Sequence, residues 1–252
     1  MSEHVTLSIV IPAFNEAARL PSTLARLGEF LTASAIWLPA EVLVVDDGSR
    51  DETHLVAARS PVPDRVTLRV LRHPRNRGKG AAVRTGFSAS RGLWVLLCDA
   101  DLATPVEELE RLRAAAVEVA VGSRALRREL IVRPQPLPRD LMGRMFNLLV
   151  RLLGLTALMD TQCGFKLFDG DLARRLAAEQ RLDGFAYDVE LLSRAARHGA
   201  RVMEVPVRWR HVEASRVQPL RHGVQMARDV VRIRWWLLVE RLRGAGDRRR
   251  HL

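Results

Sequence analysis

The sequence predicts an α/β chain built on a doubly wound, mostly parallel sheet with helices on both faces. Short Val-, Ile- and Leu-rich runs recur through its first half, the composition of strands buried on both sides. Helix-patterned stretches separate them. Four successive runs end in residues able to do chemistry, and in such sheets the strand ends meet at one ligand-binding crevice.

The elements follow in order. VTLSIVIPAFNE (5–16) is a strand ending in Pro12, Asn15 and Glu16. Leu20, Leu24, Leu27 and Leu31 then fall on one stripe of a helix. EVLVVDDGSRDET (41–53) is the second strand, ending in Asp46 and Asp47, and Asp51-Glu52-Thr53 opens a helix with acids at its amino end. VTLRVL (66–71) leads into HPRNRGKGAAVRTGFSAS. Its Arg77-Gly78-Lys79-Gly80 stretch lacks the Ser or Thr of a P-loop and the third Gly of a dinucleotide fingerprint. What remains is a run of small residues that lets backbone approach a ligand, with Lys79 as a cation near a helix start. A glycine-opened helix with solvated basic residues is the plainer alternative.

The run LWVLLCDAD (93–101) is the most informative. Side chains at i and i+2 of a strand share a face, so Asp99 and Asp101 point together. Two neighbouring anions repel unless something positive lies between them. A divalent cation carrying a diphosphate fits, because hard oxygen ligands suit Mg2+ or Mn2+. An Asp-rich surface turn is the other reading.

At 252 residues the chain can bury a large core. We expect one domain over 1–240, with a first half at 1–125 that carries the strand-end ligand site and a second half at 126–240, followed by a basic, disordered tail at 241–252. Forty Lys and Arg against 29 Asp and Glu, a net +11, favour anionic partners. Aromatic residues are not interleaved with the basic ones, which argues against a single-strand nucleic-acid platform. Cys98 closes an apolar strand as a core residue, and Cys163 has no neighbouring His to make it a nucleophile. No Cys/His spacing suggests zinc. We expect neither a leader nor a membrane-spanning segment, and a reducing cytoplasmic setting.

PAFNE, VVDDGSRDET, NRGKGAAVRTG and DADLATP, in this order and spacing, resemble the GT-A domain of inverting family 2 glycosyltransferases. GSR (122–124), DTQCGFKLF (160–168), FAYDVELL (185–192) and EVPVRW (204–209) are similar to the dolichyl-phosphate β-glucosyltransferase branch. The resemblance covers about 5–235. It implies transfer of a sugar, with UDP-glucose as donor, to a polyprenyl phosphate with inversion. It implies that Pro12, Asn15, Glu16 and Asp47 hold base and ribose and that Lys79 frames the nucleotide. Asp99 and Asp101 would hold Mg2+ or Mn2+ with the diphosphate. Arg124 would face the acceptor phosphate with help from Arg139. Mannosyl-donor relatives carry Gln two residues after the second Asp, where this chain has Ala103. Eukaryotic members begin with a membrane-spanning helix, and no apolar run here has that length.

Those residue types suit that chemistry. A phosphomonoester is mostly dianionic near neutrality, so it needs aiming more than deprotonation. The planar fork of Arg does that, and Arg124, Arg139 and Lys166 together account for acceptor binding without a base. Asp188 and Glu190 open a helix and diverge by about 200°, so they do not grip one metal. Helix-end charge, a hold on the sugar or on an acceptor-site arginine, and a base for a hydroxyl acceptor all stay open, and the resemblance favours Asp188. Phe185, Tyr187 and Trp209 read as packing residues. His73, His198, His211 and His222 show no ligand spacing.

RDLMGRMFNLLVRLLGL (139–155) is a helix with one narrow polar stripe of Asp140, Arg144, Asn147 and Arg151. A core helix, an oligomer contact and an in-plane membrane helix are its three possible fates. VQMARDVVRIRWWLLVERLR (224–243) sets Trp235 and Trp236 among arginines, a pattern suited to anionic headgroups. We therefore expect peripheral membrane contact on the cytoplasmic face. Two other functions compete. A family 2 enzyme using a hydroxyl acceptor would be told apart by acceptor assays. A basic nucleic-acid module would show salt-sensitive oligonucleotide binding without sugar turnover, and the clustered acids weigh against it.

Overall fold

The computed structural model describes residues 4–212 and 219–250, with side chains described at 4–212 and 223–242. The elements run β1 (Leu7–Ala13), α1 (Leu20–Ala33), β2 (Ala40–Asp46), α2 (Thr53–Arg59), β3 (Val66–Arg72), α3 (Lys79–Ala89), β4 (Trp94–Cys98), α4 (Leu109–Ala114) and β5 (Val119–Ser123). Then come β6 (Ile131–Arg133), α5 (Leu137–Leu152), β7 (Phe165–Asp169), α6 (Gly170–Glu179), α7 (Tyr187–Arg197), β8 (Val202–Pro206), β9 (Trp209–Arg210) and α8 (Pro219–Arg250).

Seven strands form one sheet in the order β3-β2-β1-β4-β7-β5-β8, and β6 pairs with β9 apart from it. The sheet is parallel except for β7, which runs antiparallel to both β4 and β5. This exception builds the site. Because Cys98 pairs with Phe165, the start of β7 lies beside the end of β4, and Asp99 N–H donates to Gly164 O at 3.2 Å. The QCG turn is thereby set against the Asp99–Asp101 carboxylates.

Successive strand residues point to opposite faces, so β1 feeds two cores. Val10 packs with Leu43, Val45, Leu97 and the helices α3, α6 and α7. Ile9 and Ile11 pack on the other side with Val44, Leu96 and α1. The four leucines of the α1 stripe are all buried, each stabilising by roughly 2 kcal/mol.

Two expectations change. β3 is an edge strand and only half-buried, because no strand pairs beyond it. The core fate of α5 fails: only Asn147 and Val150 are buried, while Leu141, Met145, Leu148 and Leu152 are exposed. Its polar stripe turns partly inward, since Asn147 Oδ1 accepts from Thr161 N and Oγ1. The backbone of α8 runs to Arg250, and residues 251–252 of the expected tail lie outside the described residues. Among the described residues no helix is long and apolar enough to cross a membrane.

Candidate active site

The strand ends interlock before any ligand is considered. Asn15, with φ of 55°, donates its N–H to Ser49 Oγ at 2.8 Å and accepts from Arg50 N at 2.7 Å. Glu16 N–H donates to Thr53 Oγ1 at 2.8 Å. Asp47 accepts from the N–H groups of Arg77 and Gly78 at 3.0 and 2.8 Å, and pairs with His73 Nδ1 at 2.7 Å. The other ring nitrogen of His73 meets Thr85 Oγ1 at 2.9 Å. Asp47 thus fixes the loop that opens α3 and carries Lys79. Gly78 has φ of 112°, where side chains are strained, and a Cβ there would sit 2.3 Å from Asp183 O. Gly80 serves packing rather than ligand approach: its Cβ would strike Leu182 O and Tyr187.

A cleft of about 1240 Å³ opens above these loops. Of the predicted residues, Pro12, Glu16, Asp47, Lys79, Asp99, Asp101, Arg124, Arg139 and Asp188 line it. Lys79 Nζ lies 2.6 Å from Asp99 Oδ1. Burial alone would lower the lysine's pKa, but the charges of Asp99 and Asp188 outweigh it and raise it. Burial, then the charge of Asp99, push the Asp101 carboxyl up. Both effects mark a place short of positive charge. No group of three or more His, Cys, Asp or Glu able to hold a metal occurs among the described residues. Two carboxylates on their own fit Mg2+ or Mn2+, ions that complete their shell with substrate phosphate and water.

Two guanidiniums, Arg124 and Arg139, also line the cleft. Arg124 Nε and Nη2 fork onto Asp160 at 2.7 Å each, and its guanidinium lies 5.4 Å over the Trp209 ring. Burial, then the nearby Arg124 charge, lower the pKa of Arg139. Guanidiniums that line a cleft suit an anionic ligand there.

Two predicted residues are elsewhere. Lys166, expected at the acceptor phosphate, is not among the cleft-lining residues. It is buried in β7, 2.5 Å from Asp188 Oδ1 and 2.6 Å from Cys163 O, because a buried ammonium must be paired. Asn15 is not among the cleft-lining residues and instead ties the first loop to the second. Asp188 and Glu190 do diverge: Asp188 faces the cleft, while Glu190 accepts from Arg181 N, Leu182 N and Arg194 Nε inside the protein. Tyr187 is core, but Phe185 and Trp209 are cleft walls and His211 joins them. Burial pushes the Cys163 thiol up to about 11, no property of a nucleophile at neutral pH.

Sequence reasoning missed Gly164 and Asp160. A Cβ on Gly164 would lie 1.9 Å from Asp99 Oδ2, so only glycine leaves that carboxylate its place. The signal was a glycine inside the nine-residue DTQCGFKLF motif.

The sequence model described as "Glycosyl transferase family 2" matches residues 8–176, more than half of the chain. The chain belongs to glycosyl transferase family 2. Among similar members of known naming, a dolichyl-phosphate beta-glucosyltransferase of Drosophila melanogaster is 37% identical, over 92% of this chain and 75% of its own. One from Homo sapiens is 36% identical over 90% and 74%. A solved mannosyl-3-phosphoglycerate synthase from Rubrobacter xylanophilus superposes with a TM-score of 0.65 at 22% identity, over 96% of this chain and 75% of that one. A glucosyl-3-phosphoglycerate synthase from Mycobacterium tuberculosis, solved with Mn2+, UDP and glucosyl-3-phosphoglycerate, superposes at 0.62 and 21%, over 90% and 78%. These likenesses show that this family 2 glycosyltransferase shares their fold.

Proposed function

We propose that this chain transfers glucose from UDP-glucose to a polyprenyl phosphate with inversion, giving a β-linked polyprenyl-phosphate sugar. One observation carries the reading: a single cleft is lined both by paired carboxylates with Lys79 and by two guanidiniums, Arg124 and Arg139. Such a lining suits two phosphate groups, one on the donor and one on the acceptor. The names of its relatives, dolichyl-phosphate beta-glucosyltransferases, match this chemistry.

Pro12, Glu16 and Asp47 border the nucleotide end, and Asp47 acts there by fixing the loop behind Lys79. Asp99 and Asp101 are the residues that would hold Mg2+ or Mn2+. Bound there, the ion supplies Lewis-acid assistance to the leaving diphosphate. Lys79 Nζ adds a positive charge on the same side, and Asp188, held by Lys166, borders the sugar's space. Arg124 and Arg139 orient the acceptor phosphate and offset its charge, so no side chain has to remove a proton. A single in-line displacement inverts the anomeric carbon.

The acceptor's apolar chain has a matching wall. Met142, Met145, Phe146 and Leu149 of α5 and Met226 of α8 line the cleft. Leu141, Leu148 and Leu152 of α5 and Val231, Trp235 and Leu238 of α8 are exposed beside the exposed Arg228, Arg232 and Arg234. Such surfaces suit peripheral attachment to an anionic membrane. Two buried free cysteines suit the reducing, cytoplasmic face.

The test presents UDP-[14C]glucose with either a short polyprenyl phosphate or the matching polyprenol. Labelled lipid from the phosphate alone is expected. Labelling of the alcohol at equal rate would overturn the assignment of Arg124 and Arg139 to the acceptor phosphate.

A further inference from the structure

Arg124 is held by its backbone N–H and by one edge and one face of its guanidinium. One carboxylate oxygen of Asp160 accepts from Arg124 Nε at 2.7 Å and from its backbone N–H at 3.0 Å. The other accepts from Nη2 at 2.7 Å. The guanidinium face lies over Trp209 at 5.4 Å. Nη1 makes no hydrogen bond among the described residues, and Arg124 borders the cleft. One edge and one face of the guanidinium are therefore committed, and its terminal edge is left for a ligand.

Asp160 is anchored in turn. It is 3% exposed and is not a cleft-lining residue. Its N–H donates to Glu204 Oε1 at 2.8 Å, and the same oxygen accepts from Ser123 Oγ at 2.7 Å. Glu204 Oε2 accepts from Met159 N at 2.7 Å. Glu204 belongs to β8, which pairs in parallel with β5, the strand that ends in Ser123 just before Arg124. The central sheet thus fixes the 159–160 turn, and the turn fixes the arginine.

We propose that Asp160 is a positioning residue for the acceptor phosphate, setting the angle at which Arg124 presents its terminal N–H groups. This rests on the reading above that Arg124 meets that phosphate. The division of labour within the pair follows. Asp160 offsets the charge of Arg124 locally, so Arg124 contributes direction while Arg139, which makes no ion pair among the described residues, contributes charge. A long arginine side chain otherwise samples many rotamers, and a group fixed in advance gives a phosphate its bidentate geometry without reorganisation.

Charge and orientation predict opposite signs, which makes the inference testable. Asp160→Asn raises the local charge by one. If charge alone mattered, the acceptor would bind more tightly. If orientation matters, it binds more weakly, because the amide keeps only one of the two accepting oxygens. Steady-state kinetics with UDP-glucose and a short polyprenyl phosphate would be measured on the wild type, Asp160→Asn, Arg124→Ala and the double variant. The expected result is an acceptor KM raised about tenfold or more in Asp160→Asn, with donor KM within about twofold. In the Arg124→Ala background the same substitution should change acceptor KM by less than about twofold. An unchanged or lowered acceptor KM in Asp160→Asn overturns the proposal, as does an undiminished effect without Arg124, which marks a merely structural carboxylate. If Arg124→Ala itself leaves acceptor KM unchanged, the acceptor-site reading falls and takes this inference with it. Should Asp160→Asn fail to fold, Asp160→Glu serves instead, since it keeps the local charge and displaces the carboxylate from Arg124 Nε and Nη2. A several-fold rise in acceptor KM supports the proposal there, and no rise overturns it.

Discussion

Replacing Gly164 by Ala tests how tightly the carboxylate site is built. The added Cβ would lie 1.9 Å from Asp99 Oδ2, 2.3 Å from Cγ and 2.8 Å from Oδ1. Asp99 would have to retreat by about 1.5 Å to reach ordinary van der Waals contact. It has little freedom to do so, because Lys79 Nζ holds Oδ1 at 2.6 Å and its own N–H is bonded to Gly164 O. A misplacement of about 1 Å in a reacting group costs on the order of 10²-fold in rate. This corresponds to about 2.7 kcal/mol in the barrier. Gly164 is not at positive φ, so alanine adds no backbone strain and the fold should survive. We expect kcat in the UDP-glucose transfer assay to fall by roughly 10²-fold. The melting temperature should move by only a few degrees, about 1 kcal/mol. Wild-type turnover in a folded Gly164→Ala enzyme would show that Asp99 need not sit where it does, and the carboxylate argument would be wrong.

Four further outcomes are expected. Asp101→Asn should abolish transfer, and chelation should silence the wild type until Mn2+ or Mg2+ returns; full activity in excess EDTA would refute the metal-holding role. Lys166→Met should lower unfolding free energy by about 3–5 kcal/mol, because Asp188 is left buried without its cation, and Lys166→Met with Asp188→Leu should recover much of it. Chemical denaturation checks this, and a single variant as stable as wild type would contradict it. Leu141→Asp with Leu148→Asp should weaken co-sedimentation with anionic liposomes by about tenfold or more while transfer to a short, water-soluble acceptor persists; unchanged sedimentation would remove α5 from the membrane. The last outcome concerns acid. Burial pushes the Asp160 carboxyl up, but the Arg124 charge and hydrogen bonds outweigh it and hold the group below the usual carboxylate range. A folded-state pKa below the unfolded value, about 3.9, means stability that is present above that pH and lost as pH falls through the folded value. Asp160→Asn should flatten the acid limb of the stability curve, and an identical limb would argue against it.

The parallel strands and the converging strand ends were legible because composition and polar termini encode them locally. The α1 stripe was legible for the same reason. The reversal of β7 was not, since FKLFD reads as an apolar run in either direction and its sense is set by pairing with β4 and β5. Lys166 misled because a lysine in a motif near phosphate chemistry reads as an anion binder, and its partner Asp188 is on a different element. In α5 the pattern of one polar stripe resembled a core helix turned the usual way. Asn147 instead faces inward to satisfy Thr161, which leaves the leucines outside. Asp160 and Gly164 stand in a motif that the sequence marks as special, but their roles are contacts across the fold, with Arg124 and Asp99.

The central claim is that one cleft joins a sugar to a lipid phosphate by a single inversion. NMR of the organic-soluble product made from UDP-glucose and a short polyprenyl phosphate tests it most directly. A β-configured glucosyl carbon bonded through one phosphate to the lipid is the predicted result. An α-configured product, or glucose attached to anything other than that phosphate, would contradict it.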